Sequence, residues 1–332
     1  MKFRFYLAIL IMWMLGLRRF TALPRAWLLT LVRYLNGYRP FILPEGDDTL
    51  SFTDESVTME VDGTGNNAGR AGNENKTETF HCLAIRHHKK QRKAILNIYG
   101  GGMLMAPQAS FIKYAQDMAR KTGCDVWFPY YPLCTDHTIR DSVRMIYRIY
   151  RKMLKKYDDI ELYGYSSGGS LAMMLYAYNN EEGDNLPMPK KMVMVSPGGI
   201  PEDDSEYKKM KQAGKKDTTM SPKYLKTIRP LLSQGLPDIP EYMLTFKGAN
   251  LKGLQKTWIY YGKNECLSVK ANAYTQLLKR NRVDYQLKMA AGRQHCYCIT
   301  DRTPAKAAKE DYNEIIRVLK EDSADGDLAK AQ

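Results

Sequence analysis

Hydrophobic and polar positions change period several times along this chain. Residues 56–61 alternate apolar and polar, the two-residue repeat of a half-buried strand, and residues 79–85 read as the next strand. Residues 94–99 form a short apolar run of the kind that builds a fully buried strand. Helical and strand-like segments alternate from there. A helix is predicted over 108–122, with Phe111, Ala115, Met118 and Ala119 on one face, followed by a strand over 125–130. Thr138 opens a long helix whose stripe of Ile139, Val143, Ile146, Tyr150 and Met153 faces a core, and Asp141 stands at capping-box spacing from it. Strands over 159–163, 191–196, 256–261 and 283–289 follow, with helices over 170–178 and 268–281. A last helix is opened by Thr303-Pro304 and ends at Lys320. This alternation predicts an α/β fold: a mostly parallel, twisted sheet covered by helices on both faces.

Two regions depart from that rhythm. Residues 198–250 are charged and punctuated by Pro222, Pro230, Pro237 and Pro240, too long for a simple connection, and are expected to form a helical cap over the sheet's carboxyl edge. At the amino end, an apolar run over residues 5–17 lies between Lys2, Arg4 and Arg18-Arg19, and a second helical pattern carries Ala26, Leu28, Leu29, Leu31, Val32 and Leu35. The run is shorter than the roughly 20 residues a membrane span needs. It has two readings: a membrane-associating hairpin or uncleaved anchor through residues 1–20, or helices packed as part of the cap. Residues 62–75 are rich in Gly and Asn and predict a surface loop, in which the acceptor triplet Asn75-Lys76-Thr77 reads as a chance match. The basic stretch over residues 86–93 predicts a solvated hairpin tip, with a metal or nucleic-acid role as the alternative.

Composition narrows the picture only a little. The 332 residues can bury a sizeable core, and 44% hydrophobic with 26% charged residues is ordinary for a folded protein. The net charge of +14 favours anionic surfaces, but no nucleic-acid motif and no basic run interleaved with stacking aromatics is present, so no nucleic-acid partner is expected. Cys82, Cys124, Cys134, Cys266, Cys296 and Cys298 lack C-x-x-C spacing, which points to free thiols and a cytoplasmic setting.

The chemistry centres on Gly164-Tyr165-Ser166-Ser167-Gly168, which stands between a predicted strand and a predicted helix. A strand–G-x-S-x-G–helix turn lifts a serine hydroxyl out at the carboxyl end of a sheet, where it can act as a nucleophile. Such a serine needs a base, an acid that orients the base, and donors for an oxyanion. His81 lies in a strand, His87 and His88 in the basic turn, and His137 before an upstream helix; His295 alone follows the last strand, in the place a base requires. A metal site at His295-Cys296-Tyr297-Cys298 is the lesser reading. In the preceding loop Glu265 is the sole carboxylate and is the expected acid, with Asp284 and Asp301 as fallbacks. Gly100-Gly101-Gly102 ends a buried strand and can present converging amides to an oxyanion, with Ser167 adding another.

In this order and at these spacings, the motifs resemble the hormone-sensitive-lipase-like family of α/β-hydrolases, bacterial esterases marked by H-G-G-G before G-x-S-x-G. The likeness covers residues 93–320 and includes Tyr131-Pro132-Leu133, Gly262-Lys263-Asn264-Glu265 and Gly292-Arg293-Gln294-His295. It implies an α/β-hydrolase catalytic domain over 46–320 with a cap insertion over about 200–250, N-terminal helices over 1–45 and a polar tail over 321–332. It further implies catalytic Ser166, Glu265 and His295, an oxyanion hole of Gly101, Gly102 and Ser167, no metal or organic cofactor, and short- to medium-chain acyl esters as substrates. Deacetylase, thioesterase or amidase chemistry with the same residues, or a catalytically silent binding or membrane-associated relative, are the alternatives. Two positions depart from the family pattern: Tyr99 stands for its histidine and Glu265 for its aspartate.

Overall fold

The computed structural model describes residues 16–62, 76–300 and 306–321. The expectations for residues 1–15, for most of the Gly/Asn-rich loop, for Asp301 and Thr303-Pro304 and for the tail beyond 321 lie outside these residues.

Ten strands are described: β1 (Leu50–Asp54), β2 (Val57–Val61), β3 (Lys76–Phe80), β4 (Cys82–His87), β5 (Lys93–Ile98), β6 (Asp125–Pro129), β7 (Asp159–Tyr165), β8 (Lys191–Val195), β9 (Lys256–Gly262) and β10 (Asp284–Ala290). Eight form one sheet in the order β1-β4-β6-β5-β7-β8-β9-β10, while β2 and β3 pair apart from it. The run from β6 through β10 is parallel, and β4 and β1 add antiparallel strands at one edge. The central strands are continuously buried, as expected of parallel strands covered on both faces.

Helices α1 (Arg25–Asn36), α2 (Ala109–Thr122), α3 (Ile139–Leu154) and α4 (Ser167–Glu181) come first in the chain. The crossover β5–α2–β6 steps one way across the sheet and β6–α3–β7 steps back. Right-handed crossovers in opposite directions place α2 and α3 on opposite faces. Ile139, Val143, Ile146, Tyr150 and Met153 are buried on α3, and the Thr138–Asp141 capping box closes its amino end in both directions. From Ser167 through Ala177, α4 is buried all round, so it is set by the sheet and α3 rather than by amphipathicity. The Tyr147 hydroxyl ties the two helices by donating to Asn179 Oδ1 at 3.1 Å.

Between β8 and β9 lie α5 (Asp204–Ala213), α6 (Pro222–Ser233) and α7 (Glu241–Thr245); α8 (Lys270–Arg280), α9 (Tyr297–Thr300) and α10 (Lys306–Lys320) follow. The amino-terminal segment is pinned to this insertion and to the glycine loop. Arg18 donates to the Lys215 and Asp217 carbonyls, and the Ser221 amide donates to Thr21 Oγ1. Asn36 donates to the Leu104 carbonyl at 2.8 Å and accepts the Ala106 amide at 2.9 Å.

Two local expectations are corrected. Residues 79–85 are not one strand: the chain changes sheets at His81, between β3 and β4. The basic stretch is not a hairpin tip, because β6 separates β4 from β5; His87 and His88 instead contact the Ala119 and Asp47 carbonyls. Asp62, the first residue of the expected loop, receives the Thr138 hydroxyl and the Arg140 and Arg144 guanidiniums. Among the described residues no group of histidine, cysteine and carboxylate side chains could hold a metal ion, and no helix is long and apolar enough to cross a membrane.

Candidate active site

Strand β7 ends at Tyr165 and α4 begins at Ser167, which leaves Ser166 alone to make the turn. It does so at φ 52° and ψ −127°, a conformation L residues rarely adopt, held by the Ser166 amide donating to the Val195 carbonyl at 2.9 Å. The turn requires both flanking glycines. A Cβ on Gly164 would lie 2.4 Å from the Gly168 carbonyl oxygen, and one on Gly168 would lie 2.0 Å from that of Ile98. Here the spacing of the motif reflects steric exclusion.

His295 and Glu265 reach Ser166 from the loops after β10 and β9. These loops bind each other: Lys263 donates to the Ala290 carbonyl at 2.9 Å and Asn264 to that of Arg293 at 3.0 Å. His295 Nε2 lies 2.9 Å from Ser166 Oγ, and Nδ1 lies 2.5 Å from Glu265 Oε2. A carboxylate can only accept, so Nδ1 carries the proton and Nε2 is free to accept from the serine hydroxyl. Ser166, His295 and Glu265 are all buried. Burial lowers the His295 pKa, but the adjoining Cys296 side chain and the charge and hydrogen bond of Glu265 outweigh it and hold His295 well above the ordinary histidine value.

The other Glu265 oxygen, Oε1, accepts the Gly262 amide at 2.8 Å and the Ser196 hydroxyl at 2.7 Å. Ser196 Oγ in turn accepts the Cys296 amide at 3.0 Å. The sequence reading does not single out Ser196; its signal is its position directly after β8, at the sheet's carboxyl edge. Asp217 is a second such residue. It accepts the amides of Thr219 and Met220 through Oδ1 and that of Cys266 through Oδ2, joining the insertion to the loop that carries Glu265.

The glycine loop lies over the elbow. With tyrosine in place of histidine at its start, the loop is shaped by stacking: the Tyr99 ring lies 4.4 Å from that of Tyr131, whose hydroxyl donates to the Tyr99 carbonyl at 3.0 Å. Gly102 adopts φ 62°, and a Cβ there would lie 2.3 Å from Tyr224 Oη. That hydroxyl, from α6, donates to the Gly102 carbonyl. The Gly101 amide donates to Ser167 Oγ at 3.0 Å. As the first residue of α4, Ser167 has no intrahelical acceptor for its amide.

The remaining histidines lie elsewhere. His81 pairs with Asp54 and stacks on Phe41, and His137 faces Glu78. Asp284 sits at the start of β10, the end away from Ser166.

A parallel-sheet fold with a strained serine turn, a histidine and a carboxylate at successive strand ends defines the class. The chain belongs to the alpha/beta hydrolase fold family, whose model matches residues 95–299. Solved structures agree on the fold. An esterase of the bacterial hormone-sensitive lipase (HSL) family is 21% identical, with 92% of this chain and 94% of that one covered and a TM-score of 0.69. A hormone-sensitive lipase from a metagenome library is 20% identical over 90% of this chain and 92% of that one, with a TM-score of 0.65. An esterase/lipase from an uncultured bacterium is also 20% identical, covering 88% and 91%, with a TM-score of 0.64. No curated protein matches the chain. The family resemblance read from the motifs is thereby borne out.

Proposed function

We propose that this chain is a serine carboxylesterase acting on short- to medium-chain acyl esters through a Ser166–His295–Glu265 triad. The observation that carries this reading is the unbroken line from Ser166 Oγ through the His295 ring to Glu265, with contacts of 2.9 and 2.5 Å. Ser166 Oγ attacks the ester carbonyl carbon as its proton passes to His295 Nε2. The oxyanion forms opposite the amides of Gly101, Gly102 and Ser167, and the Gly101 amide turns to it from Ser167 Oγ. The tetrahedral intermediate then collapses, the carbon–oxygen bond to the alcohol breaks, and His295 returns the proton to the leaving oxygen. Water attacks the acyl-enzyme by the same route and gives it up as a carboxylic acid, restoring Ser166. Glu265, with Gly262 and Ser196 on its far oxygen, stabilises the imidazolium without taking its proton.

The amino-terminal residues and the insertion between β8 and β9 act as a cap in this reading. Support comes from Leu17, Phe20, Leu28, Met220 and Tyr224, which line the same cavity as Ser166.

The test is hydrolysis of p-nitrophenyl acetate and butyrate by wild type, His295→Ala and Glu265→Ala. Loss of about 10⁴-fold or more in kcat for His295→Ala is expected, with a smaller but still large loss for Glu265→Ala. Full activity in Glu265→Ala would remove that residue from the triad.

A further inference from the structure

A further cavity lies apart from the catalytic residues. It is an open groove of about 250 Å³ between α5 and α8, and neither Ser166 nor His295 borders it. Buried Thr245, Phe246, Tyr274 and Leu277 form its floor. Charge around it is divided. The carboxylates are already engaged: Glu202 and Glu206 lie 3.4 and 3.1 Å from Nζ of Lys270, a fully buried lysine at the start of α8, and Asp203 caps α5 by accepting the Glu206 amide at 2.7 Å. The cations are not. Among the described residues, Lys209, Lys247 and Arg280 border the groove with no ion pair and no side-chain hydrogen bond. Asn281 brings two of them to one end. It follows Arg280, donates to the Ala249 carbonyl at 3.2 Å and accepts the Leu251 amide at 2.9 Å, so the chain just beyond Lys247 meets the carboxyl end of α8. At 1.5 Å per residue, that end is roughly 15 Å along the helix from Lys270 and its carboxylates. Unpaired positive charge therefore stands beside an aromatic and aliphatic floor.

That floor also reaches the serine turn. Phe246 borders both the groove and a cavity at Ser166. The Tyr274 ring packs on Phe246 with centroids 5.0 Å apart, and its hydroxyl donates to the Gly198 carbonyl at 2.8 Å. The Gly198 amide in turn donates to the Ser166 carbonyl at 3.0 Å. The partition is thin: a Cβ on Gly199, which borders the Ser166 cavity, would lie 2.9 Å from Lys270 Cε and 3.3 Å from the Phe246 ring. Phe246 itself holds φ 64°, a left-handed conformation that a bulky residue rarely adopts. Such strain persists only where the surroundings over-determine it, and it collects at ligand clamps and switches.

We propose that the groove is an effector site for a small organic anion, a carboxylate or phosphate monoester on an apolar body, and that its occupancy changes the reactivity of Ser166. The anionic group meets Lys247 and Arg280, with Lys209 from α5, and the body packs on Phe246 and Leu277. Binding is non-covalent and rests on the groove alone. Its effect on Ser166 rests also on the reading that this serine is a nucleophile. A ligand couples to a second site only by contacting two states of an element between them unequally, and here that element is the Phe246–Tyr274 pair.

The experiment titrates the full chain calorimetrically with phenyl phosphate and with phenylacetate, using benzyl alcohol as the uncharged analogue and inorganic phosphate as the bare anion. At least one of the two aromatic anions should bind about tenfold or more tightly than benzyl alcohol and than inorganic phosphate, and the tighter of the two identifies the anionic group. The double variant Lys247→Ala/Arg280→Ala replaces two exposed side chains and should weaken that anion by about tenfold or more while leaving benzyl alcohol unchanged. With the anion at saturation, the rate of Ser166 labelling by a fluorophosphonate should change by about fivefold or more in wild type and stay constant in the double variant. Benzyl alcohol or inorganic phosphate binding as tightly as both aromatic anions, or anion binding that the double variant retains, would overturn the site. An unchanged labelling rate in the saturated wild type, or a rate effect that persists in the double variant, would overturn its action on Ser166. No labelling under any condition sinks the esterase reading and the coupling with it, while the titration still decides the groove.

Discussion

Ser196 Oγ donates to Glu265 Oε1 at 2.7 Å and accepts the Cys296 amide at 3.0 Å, so one hydroxyl joins the proposed acid to the residue beside the proposed base. The residues lie 69 and 100 positions apart from it in the chain, and both bonds are buried. A hydrogen bond to a charged group contributes about 1.5–3 kcal/mol. Ser196→Ala should accordingly lower kcat by roughly ten- to a hundredfold with KM nearly unchanged. Steady-state kinetics beside a thermal melt checks this; an unchanged kcat would deny Ser196 a positioning role.

The pH profile should carry the His295 shift. Catalysis needs the neutral imidazole, so activity falls as pH drops through the His295 pKa. That pKa is held above the ordinary 6.5, because Cys296 and Glu265 together outweigh the lowering effect of burial. The acidic limb of kcat/KM should therefore lie above pH 6.5. Glu265→Gln removes a negative charge that favours the imidazolium, and should move the limb to lower pH while reducing the plateau. A wild-type limb below the ordinary histidine value would contradict the electrostatics described for the pair.

The Tyr224 hydroxyl from α6 holds the Gly102 carbonyl, and so fixes the residue whose own amide is a proposed oxyanion donor. Tyr224→Phe keeps the ring and removes the bond. A fall of about tenfold in kcat, equivalent to one hydrogen bond of about 1.4 kcal/mol, is expected with fold stability nearly intact. Wild-type kcat in this variant would separate the insertion from the oxyanion loop.

One prediction concerns the fold. Glu161 is 1% exposed on β7, with Lys93 Nζ and Lys191 Nζ each 3.0 Å from Oε1. Removing Glu161 takes the shared buried carboxylate from both lysines and leaves Lys93 with Asp159, 3.2 Å from its Nζ, at a cost of up to about 3–5 kcal/mol. Glu161→Ala should lose stability on that scale in urea unfolding, while Glu161→Gln should lose less. Equal, small losses would show that solvent screens the trio.

The strand and helix alternation is readable because buried parallel strands are continuous apolar runs and α3 carries its stripe and capping box openly. Ser166, Glu265 and His295 are readable for a related reason: each follows a strand, and the strand order converts sequence position into spatial convergence. Non-local pairing is what local pattern misses. Nothing in residues 86–93 reveals that β6 enters between the strands they join, and nothing around His81 reveals a change of sheet. Ser196 escapes notice because its role depends on φ 46° and on partners from two distant loops. Tyr99 is visible as a departure, but only the stack on Tyr131 explains how the glycine loop holds its shape without a histidine.

The central claim is that Ser166 is the nucleophile. Its most direct test is reaction of wild type and Ser166→Ala with a fluorophosphonate, followed by intact mass and peptide mapping. One adduct per chain, on Ser166, and none in the variant is the expected result. A wild type that does not react, or an adduct that persists in Ser166→Ala, would contradict it.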